Sequence, residues 1–185
     1  MKYILHSIAI ALLCLGCSGH PTTPSEEATN YFPLHVGDYW KYKSEDSTIY
    51  EYTIVSTEIY VGKTWYKIRK SALGRPYDSL YFRVENGRVY ALPSYPNGEI
   101  GPEYLYIDFV NSSNETGGYV KSTADSLLTT VGMHYHVHTV TWHGTFYEGP
   151  PVEIYAPHLG MIERKENFGD SFVLISARVN GRVYP

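Results

Sequence analysis

The chain has 185 residues, a formal net charge of −4 at pH 7 and two cysteines. Its Lys and Arg residues are dispersed, which excludes the clustered basic patches of nucleic-acid-binding proteins. Both cysteines, Cys14 and Cys17, lie close to the N-terminus. The remaining chain therefore has no thiol for nucleophilic catalysis or for a cysteine-based zinc site, and its length suits one domain with a proper core.

The N-terminal residues predict export. Lys2 gives the chain a positively charged start, and an apolar run follows from Ile8 to Leu15. The run is too short to span a bilayer as a helix and polar chain follows it, so residues 1–16 are predicted to be a signal peptide. No other segment is apolar for long enough to cross a membrane.

The end of this leader, Leu13-Cys14-Leu15-Gly16-Cys17, resembles the lipobox of bacterial lipoproteins, with Cys14 where leucine is more usual. The resemblance implies that Cys17 carries lipid, becomes the first residue of the mature chain and anchors it to the cell envelope. Ser18 follows the cysteine in place of an aspartate, which implies the outer rather than the inner membrane. The alternative is an ordinary cleaved signal peptide with two incidental cysteines.

Composition divides the mature chain into a tether and a domain. Residues 17–30 comprise the acylated cysteine and a stretch rich in Pro, Ser, Thr and Glu, which cannot bury enough apolar surface to offset the entropy of ordering. We expect this stretch to be a flexible tether. Residues 31–185 contain the apolar and aromatic residues of a β-rich globular domain.

The domain reads as a succession of strands. Trp40 and Tyr42 alternate with lysines, as expected for a strand with one buried face, and Asn86-Gly87 between two β-rich runs predicts a type I′ hairpin turn. The string around this turn, RVENGRVY, returns as RVNGRVY at the end of the chain, which predicts the same turn twice. Ser122–Thr130 is the one stretch with helix-like spacing. Further strands are predicted at Thr48–Tyr60, Trp65–Lys70, Leu80–Val84, Arg88–Leu92, Tyr104–Val110, Met133–Thr141, Thr145–Tyr147, Glu153–Ala156, Met161–Lys165 and Phe172–Val179.

Helix-length amphipathic runs are lacking, so we expect an all-β or nearly all-β domain. The predicted architecture is a single curved, mainly antiparallel sheet or partial barrel with meander-like connections. Nineteen tyrosines fit this class, because Tyr suits a pleated and half-buried surface.

Three short motifs resemble a group of uncharacterised bacterial lipoproteins and secreted proteins. The first is an FPL-x-x-G-x-x-W-x-Y pattern, the second is Leu105–Phe109, which matches LY-x-DF, and the third is Tyr155–Ile162, which matches Y-AP-x-x-G-x-I/V. The resemblance implies a curved antiparallel sheet or partial barrel on a lipid tether, with no assigned activity. We expect the motif residues to serve folding; they are Phe32, Pro33, Leu34, Gly37, Trp40, Tyr42, Pro157 and Gly160.

A row of histidines is the candidate metal site. His134, His136 and His138 would share one face of a strand, about 6.5–7 Å apart per step. Two adjacent imidazoles could then bind zinc or copper with a third ligand from a neighbouring strand. The alternative is that the histidines occupy the solvated face while Tyr135, Val137 and Thr139 face the core.

Catalytic motifs are missing from the sequence. There is no GxSxG elbow and no glycine-rich phosphate loop, and sequence alone pairs no two of the acidic residues Asp78, Asp108, Glu148 and Glu153. The sequence therefore indicates a lipid-anchored envelope protein that binds or scaffolds rather than catalyses. Its partner would be an apolar ligand or an envelope protein. The alternatives are a metal-handling lipoprotein and an envelope hydrolase with unrecognised acid and base carboxylates.

Overall fold

The computed structural model describes residues 30–95, 98–111, 113–114, 119–142, 151–166 and 171–185. These residues form thirteen β-strands, numbered here in chain order. The strands are β1 (Tyr39–Ser44), β2 (Ile49–Tyr60), β3 (Lys63–Ala72), β4 (Arg75–Glu85), β5 (Arg88–Leu92), β6 (Tyr104–Asp108), β7 (Ser113–Asn114), β8 (Tyr119–Thr129), β9 (Gly132–Trp142), β10 (Val152–Ala156), β11 (Gly160–Lys165), β12 (Phe172–Val179) and β13 (Arg182–Tyr184).

All strands belong to one antiparallel sheet. The order across it is β6-β5-β4-β3-β2-β1-β12-β11-β10-β9-β8-β7, with β13 paired to β12 outside this path. Two meanders, β1 to β6 and β7 to β12, are thus joined where β1 pairs with β12. Among the described residues no pairing joins β6 to β7, so the sheet stays open. The predicted all-β class and the single, mainly antiparallel, meander-like sheet are confirmed.

The sheet is strongly curled. Nine strand-to-strand steps separate β6 from β9, which would be about 43 Å in a flat sheet. Instead, the rings of Tyr106 on β6 and Trp142 on β9 have centroids 5.0 Å apart. The ring centroids of Phe109, just after β6, and Tyr155, on β10, are 5.6 Å apart. The inner face is therefore wrapped around a core to which nearly every strand contributes.

The predicted hairpin turns are present. Asn86 and Gly87 have φ values of 51° and 77°, and Asn180 and Gly181 have 51° and 78°. Both central residues of each turn are left-handed, as a type I′ turn requires. The repeated string thus gives the same turn twice, between β4 and β5 and between β12 and β13.

The helical interpretation of Ser122–Thr130 is wrong. These residues lie in and just beyond β8, which pairs with β9 along its whole length, from Tyr119 opposite Trp142 to Thr129 opposite Gly132. Leu128, within this stretch, is exposed. Long-range strand pairing overrides the local spacing here. No helix in the described part of the chain is long and apolar enough to cross a membrane.

Several sequence-based expectations fall outside the described residues. They are the signal peptide, Cys17, most of the tether and the strand expected at Thr145–Tyr147.

The start of the domain is described and follows its predicted pattern. Trp40 and Tyr42 on β1 are buried, whereas Lys41 and Lys43 point away from the core. Gly37 precedes this strand with a φ of 95°, a conformation that glycine adopts without strain.

Candidate functional site

The inner face of the sheet surrounds a cavity of about 200 Å³. Residues from β1 to β4, β6, β10 and β11 and from the segment before β1 line it, so the curl of the sheet creates it. Most lining side chains are aromatic or aliphatic, and three are charged. The lining residues are Phe32, Pro33, Trp40, Tyr42, Tyr52, Ile68, Lys70, Leu80, Phe82, Tyr106, Glu153, Tyr155, Gly160, Met161 and Arg164.

Hydrogen bonds from β1 hold one wall of the cavity in place. The Trp40 Nε1–H donates to the carbonyl oxygen of Leu159 at 2.6 Å, and the Tyr42 hydroxyl donates to that of Met161 at 3.0 Å. Gly160, between these two acceptors, has a φ of 90°, and an added Cβ there would lie 3.5 Å from both Pro33 and the Trp40 indole. The added Cβ would make only ordinary van der Waals contacts there, so glycine is needed at this position for its backbone conformation.

The floor of the cavity contains a buried carboxylate, Glu153, which is 1% exposed. The Tyr106 hydroxyl lies 3.1 Å from each of its oxygens, and the Tyr155 hydroxyl donates to Oε2 at 2.8 Å. Arg164 Nη1 donates to Oε1 at 3.0 Å. Pairing of β10 with β11 places Glu153 directly opposite Arg164. Three donor groups thus serve the two carboxylate oxygens, with the single Tyr106 O–H shared between them, and they offset the cost of burying the charge.

Electrostatics keeps these groups in the protonation states that the network needs. Burial raises the pKa values of the Tyr106 and Tyr155 hydroxyls well above their usual range, and the negative charge of Glu153 adds to the effect. Both tyrosines therefore remain hydrogen-bond donors. Burial opposes the charge of Arg164, but Glu153 and Glu166 outweigh it and raise the pKa of the guanidinium.

Lys70 on β3 is the third charged lining residue. Its side chain is 19% exposed, and its Nζ lies 3.8 Å from Asp78 Oδ2 and 5.3 Å from the centre of the Tyr52 ring. Burial lowers the pKa of the ammonium, and Arg164 acts in the same direction, while Asp78 and Glu153 oppose the shift. The cavity thus combines an aromatic wall, a neutralised carboxylate–guanidinium floor and one partly desolvated ammonium.

Sequence reasoning named much of the wall as motif positions and named Glu153 only as an unpaired acidic residue, so it did not predict the polar floor. Most of the motif residues that were expected to serve only folding line the cavity: Phe32, Pro33, Trp40, Tyr42 and Gly160. Leu34 packs against the core, whereas Gly37 and Pro157 lie in turns outside the lining. Lys70 and Arg164 were not singled out. One sequence feature could have pointed to Glu153: it is a charged residue inside the apolar run Val152–Ala156.

The histidine row is broken rather than aligned. His136 has a φ of 55°, which interrupts the alternation of β9. His136 is exposed, but His138 is buried against the rings of Tyr31 and Phe109. His134 Nε2 lies 3.1 Å from the Thr129 hydroxyl, and burial lowers its pKa.

The structure therefore does not place the three imidazoles on one face. The alternative pattern also fails in part, because Tyr135 is exposed although Val137 is buried. Across the part of the chain that the structure describes, no group of three His, Cys, Asp or Glu side chains could hold a metal ion. Zinc or copper binding by His134, His136 and His138 stays a prediction.

The acidic residues considered for hydrolysis do not converge among the described residues. Glu153 is the one carboxylate that lines the cavity there, and its donors already engage both oxygens. Asp108 instead caps the turn after β6 by accepting hydrogen bonds from the Val110 and Asn111 amides. Asp78 pairs with Lys70, and Glu148 lies outside the described residues. Among the described residues, the cavity therefore holds no pair of carboxylates for acid–base chemistry.

Comparisons with known proteins give two structural likenesses. No protein-family model matches the chain, and no curated protein matches it. A candidate lipoprotein from Parabacteroides distasonis has a TM-score of 0.48 at 15% identity, over 80% of this chain and 98% of that chain. A candidate exported protein with a YmcC-like fold from Bacteroides fragilis has a TM-score of 0.45 at 15% identity, with the same coverage. The all-β assignment rests on this chain's own strand pairing.

Proposed function

We propose that the protein is a lipid-anchored component of the bacterial cell envelope whose β domain binds a small, mainly apolar ligand. One observation carries the proposal: the curled sheet forms a partly open cavity of about 200 Å³ lined mainly by aromatic and aliphatic side chains. Concave, mostly apolar pockets with a few fixed polar groups are the usual form of small-molecule sites.

The size of the cavity limits the ligand. At about 30 Å³ per water-sized group, it has room for roughly seven such groups. This is smaller than the 300–1,000 Å³ typical of drug-sized ligands. A short alkyl chain or a single substituted ring fits this space, and because the cavity is partly open to solvent, one end of an eight-carbon chain can extend through its mouth. The polar floor would orient the ligand without adding a free charge, because Glu153 and Arg164 neutralise each other.

The envelope location is supported by the leader at residues 1–16 and by the lipobox-like sequence that ends at Cys17. The anchor would hold the domain at a membrane surface through the tether of residues 17–30. The outer membrane is the expected site, because Ser18 follows the cysteine.

Ligand binding is tested with 1-octanol, a neutral eight-carbon probe. The protein is the mature chain, residues 17–185, carrying Cys17→Ser; omitting residues 1–16 removes no described contact. Saturable shifts of backbone amide NMR signals from the cavity strands are expected. Met161→Trp should fill the cavity and weaken binding at least about tenfold. Met133→Trp is the matched control, because Met133 is exposed on β9, and it should bind as the wild type does.

Leu80→Trp, on the facing strand β4, provides a second cavity-filling variant in case Met161→Trp does not fold. Amide signal dispersion shows which variants fold. The proposal fails if octanol gives no saturable shifts with the wild type, or if folded cavity-filling variants bind it as well as the control does.

Anchoring is tested in the intact precursor. Cys17→Ser should leave the precursor uncleaved and without incorporated radiolabelled palmitate, since the acylated thiol is gone. Cys14→Ser is the matched control and should be processed and labelled normally, because Cys14 leaves with the signal peptide. A Cys17→Ser protein that is labelled and fractionates with membranes as the wild type does would contradict the lipid anchor.

A further inference from the structure

The three charged side chains of the cavity differ in how far their charge is matched, and this difference identifies the ligand class. Glu153 and Arg164 stand opposite each other on β10 and β11. Lys70 stands on β3, several strands away across the curled sheet. The inference that follows rests on the proposed function, because it concerns the ligand of the same cavity.

Glu153 has no need of a cationic ligand. Its two oxygens accept hydrogen bonds from Tyr106, Tyr155 and Arg164 at 2.8–3.1 Å. A further cation would have to displace donors that are themselves buried. Burying a charge without full replacement of its partners is costly, so we expect the carboxylate to act as a fixed structural charge.

Arg164 is committed as well. Besides its bond to Glu153, its Nε donates to Glu166 Oε1 at 2.6 Å, and its Nη2 contacts the same oxygen. All three nitrogens of the guanidinium therefore face carboxylates. An anionic ligand at Arg164 would meet the negative charges of Glu153 and Glu166, which disfavours binding there.

Lys70 differs from both. Its side chain is mostly buried, yet its nearest carboxylate oxygen, Asp78 Oδ2, is 3.8 Å from Nζ, beyond a good hydrogen bond. The Asp78 side chain is itself partly exposed, so water weakens its pull on the ammonium. The Tyr52 ring supplies a cation–π contact at 5.3 Å. Lys70 thus brings to the cavity wall a desolvated charge that its neighbours compensate only in part.

We propose that the cavity selects a small amphiphile with an apolar body and one anionic oxygen group, the chemistry of a short fatty acid. The apolar body lies against the aromatic wall, and the anionic group accepts a hydrogen bond from the Lys70 ammonium. A single charge is required, because Glu153, Asp78 and Glu166 would repel a second one. A charge-assisted hydrogen bond to the mostly buried Lys70 side chain gives this contact its strength.

The test compares octanoate with 1-octanol, which differ in the anionic group, on the mature chain carrying Cys17→Ser. Lys70→Met keeps the apolar stem but removes the charge. It should weaken octanoate binding about tenfold, as expected for the loss of a hydrogen bond to a charged group, and change octanol binding less than about twofold. Lys70→Arg should restore much of the octanoate affinity.

Lys67→Met is the matched control on the same strand. Lys67 lies an odd number of residues from Lys70 on β3, so it is on the opposite face of the strand, and its Nζ pairs with Glu58 at 3.1 Å. Loss of the Lys67 charge should therefore leave both affinities unchanged. If Lys70→Met changes the affinities for octanoate and octanol equally, or changes neither, the proposed ligand class is wrong. The proposed function would still stand in that case, provided that the wild type binds octanol. Absence of binding by both ligands to the wild type would overturn the proposed function and the ligand class together.

Discussion

The two faces of the sheet each bury a charged side chain, and they do so in different ways. On the inner face, Glu153 receives donors from β6, β10 and β11 and lies at a cavity. On the other face, Arg83 of β4 lies between the rings of Trp65 and Tyr90, 5.2 and 4.0 Å from their centres. Its carboxylate partners, Glu85 and Glu103, are partly exposed.

The comparison shows what the curl of the sheet contributes. The Glu153 network needs strands that are far apart in the sheet order, so it forms only when the whole domain is folded. The Arg83 network uses neighbouring strands and Glu103, which directly precedes β6. If Arg83 is lost, Glu85 and Glu103 can regain hydration. If Glu153 is lost, the donors Arg164, Tyr106 and Tyr155 remain at the cavity floor without this acceptor.

The largest effect is therefore expected from Glu153→Gln. It removes one partner of a buried ion pair and should lower the free energy of unfolding by about 3–5 kcal/mol. Urea unfolding followed by circular dichroism measures the change. Glu58→Gln removes an exposed ion pair with Lys67 and should cost less than about 1 kcal/mol. Equal losses of unfolding free energy at the two sites would show that the buried Glu153 network stabilises the fold no more than an exposed ion pair does.

A smaller effect is expected on the other face. Arg83→Met keeps an apolar stem between Trp65 and Tyr90 but removes the charge, and should cost roughly 1–2 kcal/mol in unfolding free energy, because the released carboxylates are resolvated. The same urea experiment applies. A cost as large as that of Glu153→Gln would show that both networks are equally closed to water.

Two buried aspartates extend the comparison to pH. Burial raises the pKa of Asp38, and its Oδ2 lacks a hydrogen-bond partner. Burial also disfavours the charge of Asp108, but hydrogen bonds from Asn111 and Arg88 outweigh it and lower the pKa. Asp108 therefore contributes stability that is present above its unfolded pKa near 3.9 and is lost as the pH falls through its folded value. Asp38 has the opposite sign, losing stability as the pH rises from 3.9 through its folded pKa.

Asp108→Asn and Asp38→Asn separate these contributions. Between pH 5 and 3, the unfolding free energy of the wild type relative to Asp108→Asn should fall, and relative to Asp38→Asn it should rise. Each slope should stay below about 1.4 kcal/mol per pH unit, the limit for one proton. Slopes of the same sign for both variants would contradict the assigned pKa directions.

The smallest effects are expected at two hairpin turns. Val61 is 81% exposed and has a φ of 48°, a conformation that β-branched residues rarely adopt, whereas Asn86 occupies the equivalent position of its turn without such strain. Val61→Asn should therefore raise the melting temperature, by a gain of about 0.5–1 kcal/mol, and Asn86→Val should lower it by a similar amount. Shifts of the same sign would exclude backbone strain as the cause.

Much of the fold followed from local sequence patterns. The alternation at Trp40 and Tyr42 and the Asn-Gly pairs at residues 86 and 180 depend on residues close in the chain, so they were readable. The strand at Ser122–Thr129 could not be predicted this way, since it depends on pairing with a neighbouring strand. The left-handed backbone at His136 could not be predicted either, since it depends on contacts distant in the sequence. The same limit applies to the cavity, whose wall residues were noticed only as motif positions.

The sequence by itself determined that this is an all-β, mainly antiparallel domain, because strand periodicity and turn residues are local properties. Only the tertiary structure decided that Tyr106 reaches Glu153, that Arg164 pairs with Glu153 and that Lys70 joins them at one cavity. Strand register places Glu153 opposite Arg164, and the curl of the sheet brings β6 and β3 to the same space. Neither register nor curl is encoded by any short stretch, since both arise from packing one sheet face against itself.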